Sequence, residues 1–579
     1  MYTTTRDHEP ARMIAGRSIG DHVLKRKAAL WAQRSSFEGH WRELAENMLP
    51  RLSRFNHSER GRGGDRNQNI IDNAATKALR VLAAGMMAGM TSPARPWFRL
   101  SLPDRDLAMQ DQPSRWLSDV REIILRIFQK SNTYIMLQGM YRELGGFGTG
   151  ISLIDNNFES VINHSLLTVG EYALSLNAIG VVDTACREFE FTVGQAVARF
   201  GLKNLSHRVN SDYDNGNYEH TVDLIHIIEP RLERNRSSHT ARNMPWRSVY
   251  IETNSDNKDQ PASESGYRTF PAVAPRWDVF YNDTYGSSPG MEALGDMKQL
   301  QQEQFDKSKA ISYQSDPPLQ VPVKMRGQEN DFLPGGVSYY DQLASGGGVR
   351  SAFDVNLRID GLLLDIQDVR GRIDSAFFAD MFLMLANADK TNMTATEVAE
   401  RHEEKLLMIG PTLERLHREL VFPLIEYAFE KAVEAGILPP PPEEMGGMPV
   451  EIEPISMLAQ AQKAVAVNSV DRLLGHIGTI AEASQNPTVW DKFDSDLSID
   501  RYSDMLGVDP DIIVASKDVA IIRSKRAQEQ QAAQALESAN SIADSASKLG
   551  GIDTSQQNGA SDILNLFSGY NVPSSTEIA

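Results

Sequence analysis

The stretch SPGMEALGDMKQLQQEQFDKSKAISYQSDPP, residues 288–318, decides how the rest of the chain is read. Ser288 to Tyr313 predicts a helix of ~26 residues, about 40 Å long. Met291, Leu294, Met297, Leu300 and Phe305 recur at helical spacing and give it an apolar face. Asp316-Pro317-Pro318 ends it, because a residue before proline is pushed out of the helical region. A short β-rich insert follows, with Leu319-Gln320-Val321-Pro322-Val323 and, after Pro334-Gly335-Gly336, Val337-Ser338-Tyr339-Tyr340. Ser345-Gly346-Gly347-Gly348 reads as a turn. A second long helix is expected from about Asp354 to Leu385, with Ile359, Leu362, Leu363, Ile366, Val369, Ile373, Phe377 and Met381 on one face. Two long helices therefore flank a compact β insert.

Downstream, a polar break at Asn387 to Asn392 precedes Thr394 and Glu397, which have capping-box spacing. A very long helix is expected from Ala395 to Ala435. Gly410-Pro411 should kink it rather than end it, because the apolar period resumes at Leu413, Leu416, Leu420 and Leu424. Pro439 to Pro442 reads as a linker and Glu451 to Ile455 as a strand. Helices between Met457 and Ile522 predict a separate C-terminal helical domain, followed by a tail rich in Gln, Ala and Ser.

Upstream, helices are expected over Asp21 to Leu49, Ile70 to Met90, Gln112 to Lys130 and Asn132 to Leu144. Arg51 to Asn69, polar with several arginines, reads as a loop. The helix at Ile70 to Met90 is rich in alanine and glycine, which lets a neighbouring helix or subunit approach closely. Trp97 to Leu100 reads as a short strand. Gly145-Gly146-Phe147-Gly148-Thr149-Gly150 precedes a strand at Ile151 to Asp155. That order is the reverse of the strand–glycine–helix order that holds phosphate, so a tight turn is expected. Residues 158–282 read as mostly β, with a short helix near Gly194 to Phe200 and polar loops at Asn210 to Asn217 and Glu252 to Ser265.

Composition narrows the function. The 579 residues carry 59 Lys and Arg against 77 Asp and Glu, a net charge of −18, which excludes a surface that is basic throughout. The single cysteine, Cys186, cannot form an internal disulfide or supply a cysteine-rich zinc site, and a reducing compartment is expected. No apolar run is long enough to span a bilayer, and the N-terminus lacks the pattern of a secretory signal, so no membrane partner is expected. There is no P-loop, no H-E-x-x-H and no G-x-S-x-G. His402-Glu403-Glu404 reads as a solvated face. Asp491, Asp494, Asp496 and Asp500 lack the glycine and bidentate glutamate of a calcium loop, and capping or surface roles are the expectation. No catalytic residue, metal or cofactor is expected, and the chain is read as structural rather than enzymatic.

The element order resembles that of the portal proteins of tailed bacteriophages, the head-to-tail connectors of short-tailed phages. Three local matches carry the resemblance: Ile71-Asp72-Asn73-Ala74-Ala75 through Leu82-Ala83-Ala84-Gly85-Met86-Met87; Ser92-Pro93-Ala94-Arg95-Pro96-Trp97-Phe98; and Tyr285-Gly286-Ser287-Ser288-Pro289-Gly290 with Leu294-Gly295-Asp296 and Leu300. The resemblance implies an α+β, mainly α chain with the portal fold, assembled as a dodecameric ring at one capsid vertex and traversed by double-stranded DNA. It implies a wing (1–287), a stem helix (288–314), a clip (315–353), a second stem helix (354–385), a tunnel loop (386–394), a long kinked wing helix (395–436), a crown (437–530) and a C-terminal barrel extension or tail (531–579). The clip would dock the large subunit of the terminase motor and later tail adaptors, through Pro318, Val321, Val323, Val337, Tyr339 and Tyr340. Lys390 and Asn392 at the tunnel loop, Arg350 near the clip, and Arg358, Arg370 and Arg372 along the stem would be the residues facing DNA. For each arginine, a salt bridge between subunits is the competing expectation. Capsid and scaffolding proteins are the further partners implied, with assembly in the host bacterial cytoplasm and residence in the virion. The alternative reading is another oligomeric virion component, an internal core or scaffolding protein.

Overall fold

The computed structural model describes residues 13–14, 17–50, 52, 54–55, 70–104, 107, 110–238, 240–255, 260–322, 333, 335–340, 350–351, 359–387, 408–455, 473–480, 493–499, 514 and 519–534. Contacts divide the chain into two compact units, Met1–Ser469 and Val470–Ala579. The first is α+β and mainly helical.

Its centre is a group of helices, Ile19–Asn47, Ala74–Met90, Asp111–Lys130 and Thr133–Phe147. Trp41, Leu82, Trp97, Phe98, Phe128, Tyr141 and Phe147 are almost without solvent access and anchor one large apolar core. The indole of Trp41 donates to the carbonyl of Phe147 at 3.2 Å, so this bulky ring is buried with its polar atom satisfied. The fourth helix runs past the leucine where the sequence reading stopped it. Gly145 and Gly146 lie inside it, and a Cβ at Gly145 would stand 2.6 Å from side-chain atoms of both Leu79 and Leu82. Gly145 thus serves close packing against helix Ala74–Met90, and Gly146 against Leu49. The turn itself is made by Gly148 at φ 78°, where a Cβ would meet the carbonyl oxygen of Gly286 at 2.2 Å.

The β-rich region forms two antiparallel sheets. The larger has the order Ser263–Tyr267, Trp246–Glu252, Thr221–Pro230, Val182–Thr192, Tyr172–Leu176. One face packs on helix Ile19–Asn47 through Ala173, Cys186, Ile225, Ile227 and Val249. Burial pushes the Cys186 thiol up to about 12, so it is an inert packing residue. The other face is covered by helix Val193–Phe200, which has a capping box from Thr192 and Gln195. Beside it is helix His207–Asp214, capped by Ser206, where the sequence reading placed only a polar loop. Polar composition concealed it: Val209 is its one buried residue. The smaller sheet is Ala272–Val273, Ile151–Asn157, Val161–Leu167. The strand at Glu451–Pro454 pairs with Phe98–Ser101.

The first of the two long helices is Pro289–Glu292 continued, after Ala293, by Leu294–Ser315. The second differs from expectation. Ile359–Ala376 stops, Phe378 takes φ 53°, and Ala379–Asn387 sets off anew. A left-handed aromatic residue costs of order 1–3 kcal/mol, so packing must hold it there. Phe382, just beyond the break, lies over Gly85: a Cβ on Gly85 would sit 2.2 Å from its ring.

The expected kink of the later helix also moves. Helical structure covers 408–416 straight across Gly410 and Pro411, and the irregularity is a π-helical turn at His417–Val421, ahead of Phe422–Glu434. Pro423, which offers no N–H, is the local cause. Residues 395–407 lie outside the described residues. In the second unit, helical residues are 473–480, 495–499 and 519–534. Asp494 accepts from the amides of Asp496 and Leu497, and Asp496 pairs with Arg523 at 2.7 Å. Asp491 and Asp500 lie outside the described residues. Among the described residues no His, Cys, Asp or Glu group is arranged to hold a metal, and no helix is long and apolar enough to cross a membrane.

Two outcomes test this packing. Gly85→Ala forces the Phe382 ring aside and is expected to cost about 1–3 kcal/mol in thermal or urea unfolding, partly recovered by adding Phe382→Leu. Glu143, 2 % exposed, has burial as the main cause of a pKa raised to about 8, with Glu171 adding to it. The folded chain thus keeps a proton that the unfolded chain loses near 4.5. Stability therefore falls as pH rises from about 4.5 to about 8, then levels. Glu143→Gln should flatten that slope, so its gain in melting temperature over the parent is larger at pH 8 than at pH 5.

Candidate functional site

The sequence singles out the two long helices and the insert between them. Leu294–Ser315 and Ile359–Ala376 pack as an antiparallel hairpin. Arg372, near the end of the second helix, reaches Asp296, in the first turn of the first, at 3.2 Å. The same guanidinium donates to Gln299 at 3.2 Å and pairs with Asp368 at 3.2 Å. One face of the hairpin is apolar: Leu294, Met297, Leu300, Ile366, Val369 and Ile373 are buried in the central core.

Four polar groups lock that face to the helix Ala74–Met90. Gln301 accepts from the amides of Ile71 and Asp72 at 2.7 and 2.8 Å and donates back to the carbonyl of Asp72 at 2.9 Å. The Asp72 carboxylate accepts from Gln304 at 2.7 Å, from Arg370 at 3.1 and 2.7 Å, and from the amide of Ala74 at 2.9 Å. Asp72 is 8 % exposed. Burial would raise its pKa, but Arg370, the Ala74 amide and Gln304 together hold it below the ordinary carboxylate range. Both long helices thus grip the residue that opens the small-residue helix. Farther out, Lys298 pairs with Glu43 at 2.6 Å. At the hairpin's entrance, Ser288 accepts from the amide of Met291 and donates to the carbonyl of Gly146.

The described residues of the insert form a three-stranded sheet. Leu319–Pro322 is central, pairing in parallel with Val337–Tyr340 and antiparallel with Arg350–Ser351. Val321 stands opposite Tyr339, Pro322 opposite Tyr340, and Gln320 opposite Arg350. Pro318 is buried and Val337 half-buried at the base of the sheet. Val323, Arg358, Lys390 and Asn392 lie outside the described residues. Arg370 and Arg372 are brought together on the hairpin, each neutralised by carboxylates of its own chain. Asp72, Gln301 and Gln304 were not among the candidates. Their signal was present, since Gln301 and Gln304 interrupt the apolar face begun by Leu294, Met297 and Leu300.

Residues 20–514 match the family model described as Bacteriophage head to tail connecting protein. The "Probable portal protein" of Bordetella phage BPP-1 is 52 % identical over 548 residues, covering 95 % of this chain and 98 % of that protein. The "Portal protein" of Salmonella phage epsilon15 is 41 % identical over 546 residues, covering 94 % and 98 %. A chain from the "Virion of native gene transfer agent (GTA) particle" aligns over 70 % of this chain and 86 % of its own. That alignment has 11 % identity and a TM-score of 0.34, below the level at which a shared fold is established.

Asp72→Ala should release the hairpin from the body. Because the partner Arg370 is half-exposed and can return to water, a loss of about 1–3 kcal/mol is expected in urea unfolding, less than for a fully buried pair. In the parent, the share of stability due to the lowered Asp72 pKa is present above the unfolded pKa. It disappears only as the pH falls through the lower, folded value. The variant should lack that acid-side decline.

Proposed function

Because the chain belongs to the bacteriophage head to tail connecting protein family, we propose that it is a portal subunit: a structural, non-enzymatic component of the virion that joins capsid and tail. The observation that carries this is near-full-length identity to two phage portal proteins, which leaves no large part of either relative unmatched.

In the finer reading, twelve copies close a ring at one capsid vertex, and double-stranded DNA passes along its axis during packaging and ejection. The helical hairpin is the stem, with 288–314 and 354–385 as its two arms. The sheet of the insert, within 315–353, is the clip that docks the terminase large subunit and then the tail adaptors, through Pro318, Val321, Val323, Val337, Tyr339 and Tyr340. Residues 1–287 and 395–436 form the wing, 386–394 the tunnel loop, 437–530 the crown, and 531–579 a barrel extension or tail. Scaffolding and major capsid proteins are the assembly partners, in the host cytoplasm.

Electrostatics supports a conduit. Each cation engaged on a phosphate releases counterions and adds salt-dependent affinity, which would hold a duplex that has to slide. An acidic chain whose Arg370 and Arg372 are already paired with Asp72, Asp296 and Asp368 offers little such retention. Lys390, Asn392, Arg350 and Arg358 remain the proposed contacts with the duplex.

Negative-stain microscopy with mass photometry of the purified chain tests the reading. Rings of about twelve copies with a central hole wider than a duplex are expected. An open small oligomer that persists when scaffolding protein is added would reject it. Given rings, Lys390→Glu should change the length of DNA packaged while leaving the ring intact.

A further inference from the structure

The hairpin has two outer edges, and their side chains match one another. Arg372 faces Asp296 across the inner seam. Nine residues, about two and a half helical turns, separate Asp296 from Phe305, so Phe305 points directly away from that seam. Nine residues also separate Arg372 from Leu363, so Leu363 points away on the other side. Because the helices are antiparallel, both steps run about 14 Å in the same direction. Phe305 and Leu363 therefore stand at the same height on opposite edges. Both are large apolar groups in water, 53 % and 42 % exposed, and the neighbouring Leu364 is 68 % exposed.

One turn farther, Lys309 shares the edge of Phe305, and Asp360 shares the edge of Leu363. They too are level with each other and carry opposite charges. Both are exposed, and among the described residues neither has an ion-pair partner within the chain. One edge thus reads aromatic then cationic, and the other aliphatic then anionic, in register.

We propose that these two edges are the two halves of one seam between successive copies of this chain, Phe305 and Lys309 of one copy seating against Leu363 and Asp360 of the next. The seam rests on the ring reading and gives it a residue-level contact. The edges differ from each other and lie on opposite sides, so the contact is heterologous and repeats from copy to copy. The same two edges cannot satisfy each other within one hairpin, because the inner seam lies between them. Charge complementarity favours a second copy over an unrelated apolar partner, since each edge finds its counter-charge at the same height on this chain.

Cysteine pairing tests the seam directly. The native Cys186 is buried and unreactive, so the parent gives a clean background. The full-length Phe305→Cys/Leu363→Cys chain, treated with a short bismaleimide, should give a ladder of covalent multimers on a denaturing gel. Each single variant should remain at the monomer band. Dimers from Phe305→Cys alone would show a two-fold contact instead and overturn the proposal. Rings seen by microscopy without a ladder would overturn the seam and leave the ring reading standing. A parent chain that forms no rings even with scaffolding protein would overturn both. As a second measurement, Lys309→Glu should lower the ring fraction in mass photometry at least several-fold, and Lys309→Glu/Asp360→Lys should restore it. Loss without restoration, in variants whose melting temperature equals the parent's, would also overturn the proposal.

Discussion

A carboxylate with almost no access to water, Asp72, sits where three helices meet, and the placement of the hairpin depends on it. Gln304 and Arg370 reach it from the two arms of the hairpin, while Gln301 clamps the backbone on either side of it. An anion this deep is stable only when its lone pairs are filled, and four donors from three elements fill them. Apolar packing alone would let two long helices slide along the core. Directional bonds to one residue fix their height, and with it the level at which the β insert is held.

The same bonding decides how the hairpin looks to an anion. From sequence, Arg370 and Arg372 are two positive charges on a long exposed helix. In the folded chain each is matched by carboxylates of the same chain, and the helix that carries them also presents Asp360, Asp365 and Asp368. The surface left over is nearly neutral to acidic.

Much of this was legible in the sequence, because the long helices have clear apolar periods and the first is bounded by Pro289 and Pro317-Pro318. The order of helix, insert, helix needed only Met291 to Leu300, the two prolines after Asp316, and the stripe from Ile366 to Ile373. What was not legible depended on partners far along the chain. Nothing local marks Phe378 as a left-handed residue, and nothing local announces that Phe382, four residues on, lies over Gly85, almost three hundred positions earlier. Nothing in Arg370 names Asp72 as its partner. The helix at His207–Asp214 was hidden because a small surface helix with one buried valine has hardly any apolar period to detect. Gly145 and Gly146 looked like a turn because their composition is that of a turn, whereas Gly145 admits Leu79 and Leu82 and Gly146 admits Leu49.

The π-helical turn at His417–Val421 has a consequence for phase. From Leu416 one row of fully buried residues runs in steps of four, Leu416, Leu420, Leu424, Ala428 and Ala432, with Val421, Ile425 and Tyr427 buried beside it. An α-helix turns once in 3.6 residues, so a spacing of four swings the stripe by about 40° at every step. Left uncorrected, the last of these residues would face nearly the opposite way from the first. A turn that takes in about one extra residue winds part of that rotation back. The helix can then keep a single side against the body without bending its axis, much as a leap day keeps a calendar in season.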